Sequence, residues 1–377
     1  LKISIVGSGN AGCLTALHYS LYTRNQDVEV ELIHTDSIPA EPVGQGTLQE
    51  PPELFWSALG FNWWNNPIHG TFKSGILYEG WGNVNENVFH SFPASQMAMH
   101  YSPADMQKYV LNSNLFKVKE DDVKDLGEID SDYVFDCRGK PESFEDYDDL
   151  LSPVNSVILG KPNWDMNEQY WTRSVATPDG WCFVIPAKKE SKAHDNCVGY
   201  LYNNKITTKE EAEKNFLSQF DVSISKHLSF RSYVAKNPVI DDRIILSGNK
   251  FFFLEPLEST AVQAYLRWAR FTLAATVYKE RTFEDITYHF KKYIKETQNF
   301  ILWHYNFGSK YDSKFWDYAK SLSFSDEKFN HILEYAKEKD SIDILSEGFG
   351  GITRDVTYSH FLPYSIKNWY EGMTKSF

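Results

Sequence analysis

The amino-acid sequence predicts an α/β fold with a parallel nucleotide-binding layer, an interleaved β-rich layer and helices closing the C-terminal end. Three observations carry this expectation. The turn Gly7-Ser8-Gly9-Asn10-Ala11-Gly12 lies between a short apolar run and a stretch with helical spacing. The middle of the chain alternates polar and apolar residues at the strand period, and two later stretches repeat apolar positions at the helical period. Finally, 377 residues that are 42% hydrophobic suffice for a large core, and no repeat, low-complexity tract or long polar linker divides them.

Taken in order, residues 2–6 read as a buried strand, and residues 10–21 carry Leu14, Leu17 and Leu21 at helical spacing. Residues 28–33 read as a second strand, which completes the β-α-β opening of a Rossmann-type fold. A loop with Pro39, Pro42, Gly44 and Gly46 follows, and Pro51, Pro52 and Glu53 mark a helix start. Residues 75–81 read as a strand. Ser102-Pro103-Ala104-Asp105 sets an N-cap with proline at the first helical position, opening a helix to about residue 112. Residues 133–136 form another buried strand ahead of Cys137-Arg138-Gly139. From about residue 152 to 237 the pattern is strand-like, with one helix from Thr208 that places Ala212, Phe216 and Phe220 on one face. Residues 243–247 return to a buried strand, and residues 258–278 and 283–305 read as two long helices. The expected organisation is one intertwined unit over 1–377. Its nucleotide layer covers approximately 1–60, 105–150 and 240–280, its second layer approximately 61–104 and 151–239, and its C-terminal helices 281–377.

Composition excludes several classes. The 38 basic against 51 acidic residues give a net charge of −13, which argues against nucleic acid or an anionic membrane surface as the partner. No apolar run approaches the roughly 20 residues of a membrane span, and no signal-peptide pattern is visible. Cys13, Cys137, Cys182 and Cys197 form neither a CxxC nor a metal-like spacing, so reduced, mostly buried thiols in a cytoplasmic protein are expected, with no metal site. The 16% aromatic content leaves material for an aromatic-lined cavity beyond the core.

Several residues point to chemistry. The glycine turn lets backbone approach a pyrophosphate at a helix N-terminus, through Gly7, Gly9, Asn10, Ala11 and Gly12, but does not separate FAD from NAD. The carboxylate usual at the end of the second strand is missing. His34 stands there, and either Asp36 substitutes for it or His34 itself bonds the ribose. Gly248-Asn249 after the strand at 243–247 fits a cofactor contact or an ordinary turn. In Glu255-Pro256-Leu257-Glu258-Ser259-Thr260-Ala261 a loop feeds a helix whose first N–H groups, at Thr260 and Ala261, could hold a halide; equally, Ser259 or Thr260 is a plain N-cap. Lys73, in Phe72-Lys73-Ser74-Gly75-Ile76, is either a surface lysine or, if buried, an ammonium that holds and polarises an oxidant or an amine that acts as a nucleophile once its pKa is lowered. Gly180-Trp181-Cys182-Phe183-Val184-Ile185-Pro186 fits a core strand with aromatic packing.

Together and in this order, these segments resemble the flavin-dependent tryptophan-halogenase family. The resemblance also takes in Val43-Gly44-Gln45-Gly46-Thr47, His90-Ser91-Phe92, and the stretch from Phe300 through His304 and Tyr305 to Asp312-Ser313-Lys314-Phe315-Trp316. It covers most of the chain and is closest to short members of the family, including phage-encoded ones. It implies a flavin monooxygenase-like fold and FAD, bound as FADH2 supplied by a separate flavin reductase. FADH2 and O2 then oxidise a halide to hypohalous acid. Lys73 matches the catalytic lysine, which holds hypohalous acid or forms a haloamine, and Glu258 matches the glutamate opposite it. Gly44, Gln45, Gly248 and Asn249 match cofactor contacts, Thr260 and Ala261 the halide site, and His90, Phe92, Trp181 and Phe183 the substrate side.

The departures shape the expectation. Phe183 replaces the second tryptophan of the family's W-x-W-x-I-P segment, and Ala261 replaces a glycine beside the halide site. The added methyl alters the halide cradle, and because bromide and iodide are easier to oxidise than chloride, they are favoured over it. The chain is shorter than the tryptophan-specific enzymes and looks to lack much of the region that clamps tryptophan, so a phenol, indole or heteroarene is expected as substrate. Homo-oligomerisation stays open. The competing readings are a flavin-dependent aromatic hydroxylase and a non-catalytic flavin-binding protein; an NAD-dependent dehydrogenase is the weaker third.

Overall fold

The computed structural model describes all residues except 42, 64, 83–86, 93–97, 167–168, 340–356 and 375–377. Pro42 of the proline–glycine loop therefore lies outside the described residues. The fold is mixed α/β. A six-stranded sheet runs in the order Val239–Ile240, Ile244–Leu246, Tyr133–Asp136, Lys2–Val6, Glu29–His34, Lys117–Glu120. All of its pairings are parallel except the first, a hairpin. Its middle strands are near-continuous runs of Ile, Val, Leu and Phe, as strands covered on both faces require.

Helix α1 (Asn10–Thr23) follows the first strand through the glycine turn. Gly7 has φ +105, and a Cβ there would lie 2.5 Å from the Cys137 carbonyl oxygen. At Gly12 a Cβ would overlap the Gly7 carbonyl, so only glycine lets α1 pack this close to the strand. Helix α2 (Glu50–Leu59) starts at the prolines and ends on Gly60 at φ 70, and α3 (Pro103–Leu111) is capped by the Ser102 side chain, which accepts from the Asp105 N–H.

The second large sheet has seven strands: Val222–Ser229, Ser156–Pro162, Val198–Tyr202, Gly180–Val184, Thr172–Thr177, Gly75–Glu79, Val88–Ser91. The strand expected over 75–81 stops at Glu79, because Gly80 and Gly82 turn the chain with positive φ. Helix α4 (Lys209–Gln219) begins with a capping box between Thr208 and Glu211 and buries Ala212 and Phe216 against this sheet.

A three-stranded sheet, Gln45–Gly46, Ala98–Tyr101, Thr71–Lys73, bridges the two layers. Only Ser74 separates its strand Thr71–Lys73 from Gly75–Glu79 of the seven-stranded sheet, so Lys73 sits at the junction. Another small sheet joins Tyr147–Leu150, Ser232–Ala235 and Phe252–Phe253.

Helix α5 runs Thr260–Thr276, two residues shorter at its start than its apolar period suggests. Glu258 and Ser259 take left-handed φ of 66 and 55, which breaks the helix from the preceding Leu257–Ser259 turn. Helix α6 (Phe283–Asn306) is followed by α7 (Lys314–Ser321), α8 (Glu327–Glu338) and α9 (Pro363–Thr374). Of the two larger buried clusters, one lies between α1, α5 and the parallel sheet and the other joins the seven-stranded sheet to α6, α7 and α9. All four cysteines are free and buried. Among the described residues no helix is long and apolar enough to cross a membrane, and no group of His, Cys, Asp or Glu side chains could hold a metal ion.

Candidate active site

The glycine turn opens a groove lined by Gly7, Gly9, Asn10, Ala11, His34, Arg138 and Asn249. Its floor fits a dinucleotide: a Cβ on Gly9 would meet nothing within 4 Å, so the start of α1 is open to a phosphate. His34 lines the groove, whereas Asp36 is a 79% exposed side chain held 3.4 Å from His34 Nδ1. Gly248 packs against α1, where a Cβ would lie 2.4 Å from Ala11 Cβ; its neighbour Asn249 lines the groove.

The sequence reading missed Glu41, which also lines this groove. Its Oε2 accepts from Asn10 Nδ2 at 3.0 Å and Gln45 Nε2 at 3.4 Å, and its Oε1 from Asn249 Nδ2 at 3.2 Å. Burial pushes its carboxyl above the usual range, against the pull of the Asn10 and Asn249 amides. Tyr265 fixes Asn249 by donating to its Oδ1 at 2.6 Å.

Glu41, Asn249 and Tyr265 also line a second cavity of about 360 Å³, so the groove continues into it. Gly44, Gln45 and Gly46 form one wall of that cavity, Trp181, Phe183 and Ile185 another, and Glu258 to Ala261 its far end. A flat ring system fits between these walls. Two buried polar atoms of residues lining the cavity, Ser174 Oγ and Thr260 Oγ1, have no partner among the described residues. Ser259 stands at the N-cap position of α5, as one reading of the sequence had it, but its side chain makes no capping bond to the helix. Thr260 and Ala261, at the start of α5, line the cavity end, where a helix carries its free N–H groups and the positive end of its dipole.

Behind that end lies Lys73, which is 0% exposed and not the surface lysine its sequence alone allowed. Its Nζ donates to the Ser259 hydroxyl at 2.8 Å and the Thr47 carbonyl at 3.2 Å, and lies 5.2 Å from the centre of the Phe92 ring. A Cβ on Gly46 would come within 3.1 Å of Nζ and 2.9 Å of Ser259 Oγ, so glycine there leaves room for the amine. Burial lowers the Lys73 pKa to about 7, with Glu258 opposing the fall.

Glu258 is equally buried but turned away from Lys73's hydrogen bonds. Its Oε1 accepts from Tyr78 Oη at 2.5 Å, His304 Nε2 at 2.8 Å and His90 Nδ1 at 3.1 Å. Oε2 has no partner among the described residues. Burial alone would raise this carboxyl, but His90 and His304 hold it well below the usual carboxylate range. The lysine and the carboxylate thus meet through the backbone of Glu258-Ser259 rather than through a salt bridge. Tyr78 and Ser259 carried no sequence signal of these roles, and His304 stood only inside a motif.

Fold and site together define an α/β dinucleotide-binding protein with a buried amine and a buried carboxylate behind the far end of its groove. A family model described as tryptophan halogenase matches residues 2–126 and 117–360, and the chain belongs to that family. It is similar to tryptophan 6-halogenase ThaL of Streptomyces albogriseolus, 27% identical over 228 residues, 55% of this chain and 41% of that protein. Tryptophan 7-halogenase KtzQ of Kutzneria sp. (strain 744) is 24% identical over 216 residues, 52% of this chain and 39% of that protein. The match thus spans less than half of each curated relative. Among solved structures, the tryptophan 5-halogenase MibH superposes with a TM-score of 0.80 at 16% identity, over 99% of this chain and 85% of that one. At that identity the likeness shows the fold.

Proposed function

We propose that the protein is a flavin-dependent halogenase of electron-rich arenes. FAD fits the groove, with Gly7 to Gly12, His34 and Asn249 along the dinucleotide and Gly44, Gln45, Trp181 and Phe183 around the ring. Bound as FADH2 from a separate flavin reductase, it supplies the electrons with which O2 oxidises a halide to hypohalous acid. Thr260 and Ala261 hold the halide at the start of α5, with bromide or iodide favoured over chloride. Trp181 and Phe183 keep the arene off the flavin side.

Lys73 donates a hydrogen bond to the oxygen of hypohalous acid. As the halogen bonds to the ring carbon, that oxygen leaves as water with a proton from Lys73, which its lowered pKa favours. Glu258 takes the ring proton, restoring aromaticity. Return of this proton to Lys73 resets both groups, and Ser259, bonded to Lys73 and adjacent to Glu258, lies between them. His90 and Phe92 form the aromatic wall of the substrate side, and a phenol, indole or heteroarene suits it. The relatives named above are tryptophan halogenases by name, which supports an arene of the indole class.

The observation that carries this reading is the fully buried Lys73 amine beside Phe92, one residue's backbone away from the Glu258 carboxylate and just beyond a ring-sized cavity. The test is a halide-by-arene screen with regenerated FADH2, read by mass spectrometry. Oxygenated product without halogenated product would make it a hydroxylase.

A further inference from the structure

His304 sits in α6, where its Nδ1 lies 2.7 Å from the Phe300 carbonyl oxygen one turn earlier. A carbonyl only accepts, so Nδ1 carries a hydrogen. Its Nε2 lies 2.8 Å from Glu258 Oε1, and both side chains are 0% exposed. Two lone pairs cannot approach so closely, so a second proton lies between Nε2 and Oε1. That oxygen also accepts from Tyr78 Oη and faces His90 Nδ1, which crowds donors onto one side of the carboxylate. Trp369, from α9, packs tilted by 34° against the His304 ring with centroids 4.0 Å apart, an aromatic neighbour that suits a cation.

We propose that His304 carries both protons as an imidazolium and, with Tyr78, is the positioning residue that keeps Glu258 ionised with Oε2 as its one free oxygen. The buried unpartnered Oε2 is then explained: it is reserved for the ring proton of the arene, so the proposal rests on the halogenase reading. The opposite proton placement, neutral His304 against protonated Glu258, would leave Glu258 unable to act as a base.

The groups facing the carboxylate come from separate elements: Tyr78 from Gly75–Glu79, His90 from Val88–Ser91, His304 from α6 and Lys73 from Thr71–Lys73. His360, ahead of α9, feels the Glu258 charge, while burial and Arg267 keep its pKa low, at about 3. Among the described residues only His304 both bonds the carboxylate and has its other nitrogen fixed by a carbonyl.

Two measurements decide this. Nitrogen-15 NMR of histidine-labelled protein, with His304 assigned by its loss in His304→Gln, should show both ring nitrogens protonated near neutral pH. In Glu258→Gln the ring should become neutral. A wild-type His304 protonated on Nδ1 alone overturns the proposal. In the halogenation assay, His304→Gln should lower kcat about tenfold at mildly acidic pH and move the acid limb to higher pH. Its KM and FAD affinity should stay within about twofold, the split expected when an interaction made only in the transition state is lost. A kcat within about twofold of wild type at every pH overturns it. If His304→Gln does not fold, Tyr78→Phe should move the acid limb in the same direction, and an unmoved limb counts against the proposal. A wild type that halogenates nothing would sink the halogenase reading, while the NMR result still decides where the proton lies.

Discussion

At the scale of single residues, the site is built from groups held in unfavourable states. Lys73 is a lysine without solvent, its ammonium left with a carbonyl, a hydroxyl and an aromatic face. Because its folded pKa, about 7, lies below the unfolded value of 10.5, the folded state binds fewer protons over that window. The resulting penalty is fully present below about pH 7 and fades as pH rises through the unfolded value. Lys73→Met should therefore stabilise the fold by up to about 4 kcal/mol near pH 6, with the gain shrinking toward pH 10, less what the bonds to Thr47 and Ser259 contribute. Thermal unfolding at several pH values checks this; a Tm lowered equally at all pH values would contradict it. A second strained group is Ser259, a non-glycine residue at φ 55. Ser259→Gly should relieve about 1 kcal/mol of backbone strain yet lower halogenation at least tenfold, because Lys73 loses its hydroxyl partner. Paired Tm and turnover measurements test that opposition.

At the scale of elements, the loop between Glu29–His34 and Gln45–Gly46 places Glu41 where the groove meets the ring cavity. Ionised, Glu41 would face the negative diphosphate of a bound dinucleotide. Its carboxyl is raised by burial, so it becomes neutral at a higher pH than an ordinary glutamate. FAD affinity should therefore rise as pH falls in the wild type, whereas Glu41→Gln should bind severalfold tighter at alkaline pH and show a flat profile. Flavin-fluorescence titration reads both, and identical pH profiles would refute the role. At the other end of the chain, α9 brings Trp369 onto the His304 and Tyr78 rings. A C-terminal helix thus backs the carboxylate network, although the sequence named that region only as closing helices.

At the scale of the whole molecule, what was legible in the sequence was local. The glycine turn, the Pro103 and Thr208 helix starts and the buried strands each follow from residues a few positions apart. So does the segment Pro256 to Ala261, which the structure places at the cavity end. The carboxylate network was not legible, because Tyr78 and His90 reach Glu258 across 180 and 168 residues and no spacing rule spans such distances. Glu41 was hidden for a different reason: the ribose-binding acid of such folds stands at the strand end, where this chain has His34 and Asp36, whereas the half-buried Glu41 stands further along the loop. The left-handed Glu258-Ser259 pair was hidden because the apolar period continues through it. In the assembled chain these pieces form one line, from the start of α1 through the ring cavity to Lys73 and Glu258. That line is tested most directly by incubating Lys73→Ala with regenerated FADH2, O2, bromide and an electron-rich arene, alongside an FAD-binding titration. The expected result is loss of brominated product with FAD affinity unchanged; full bromination by the variant would contradict it.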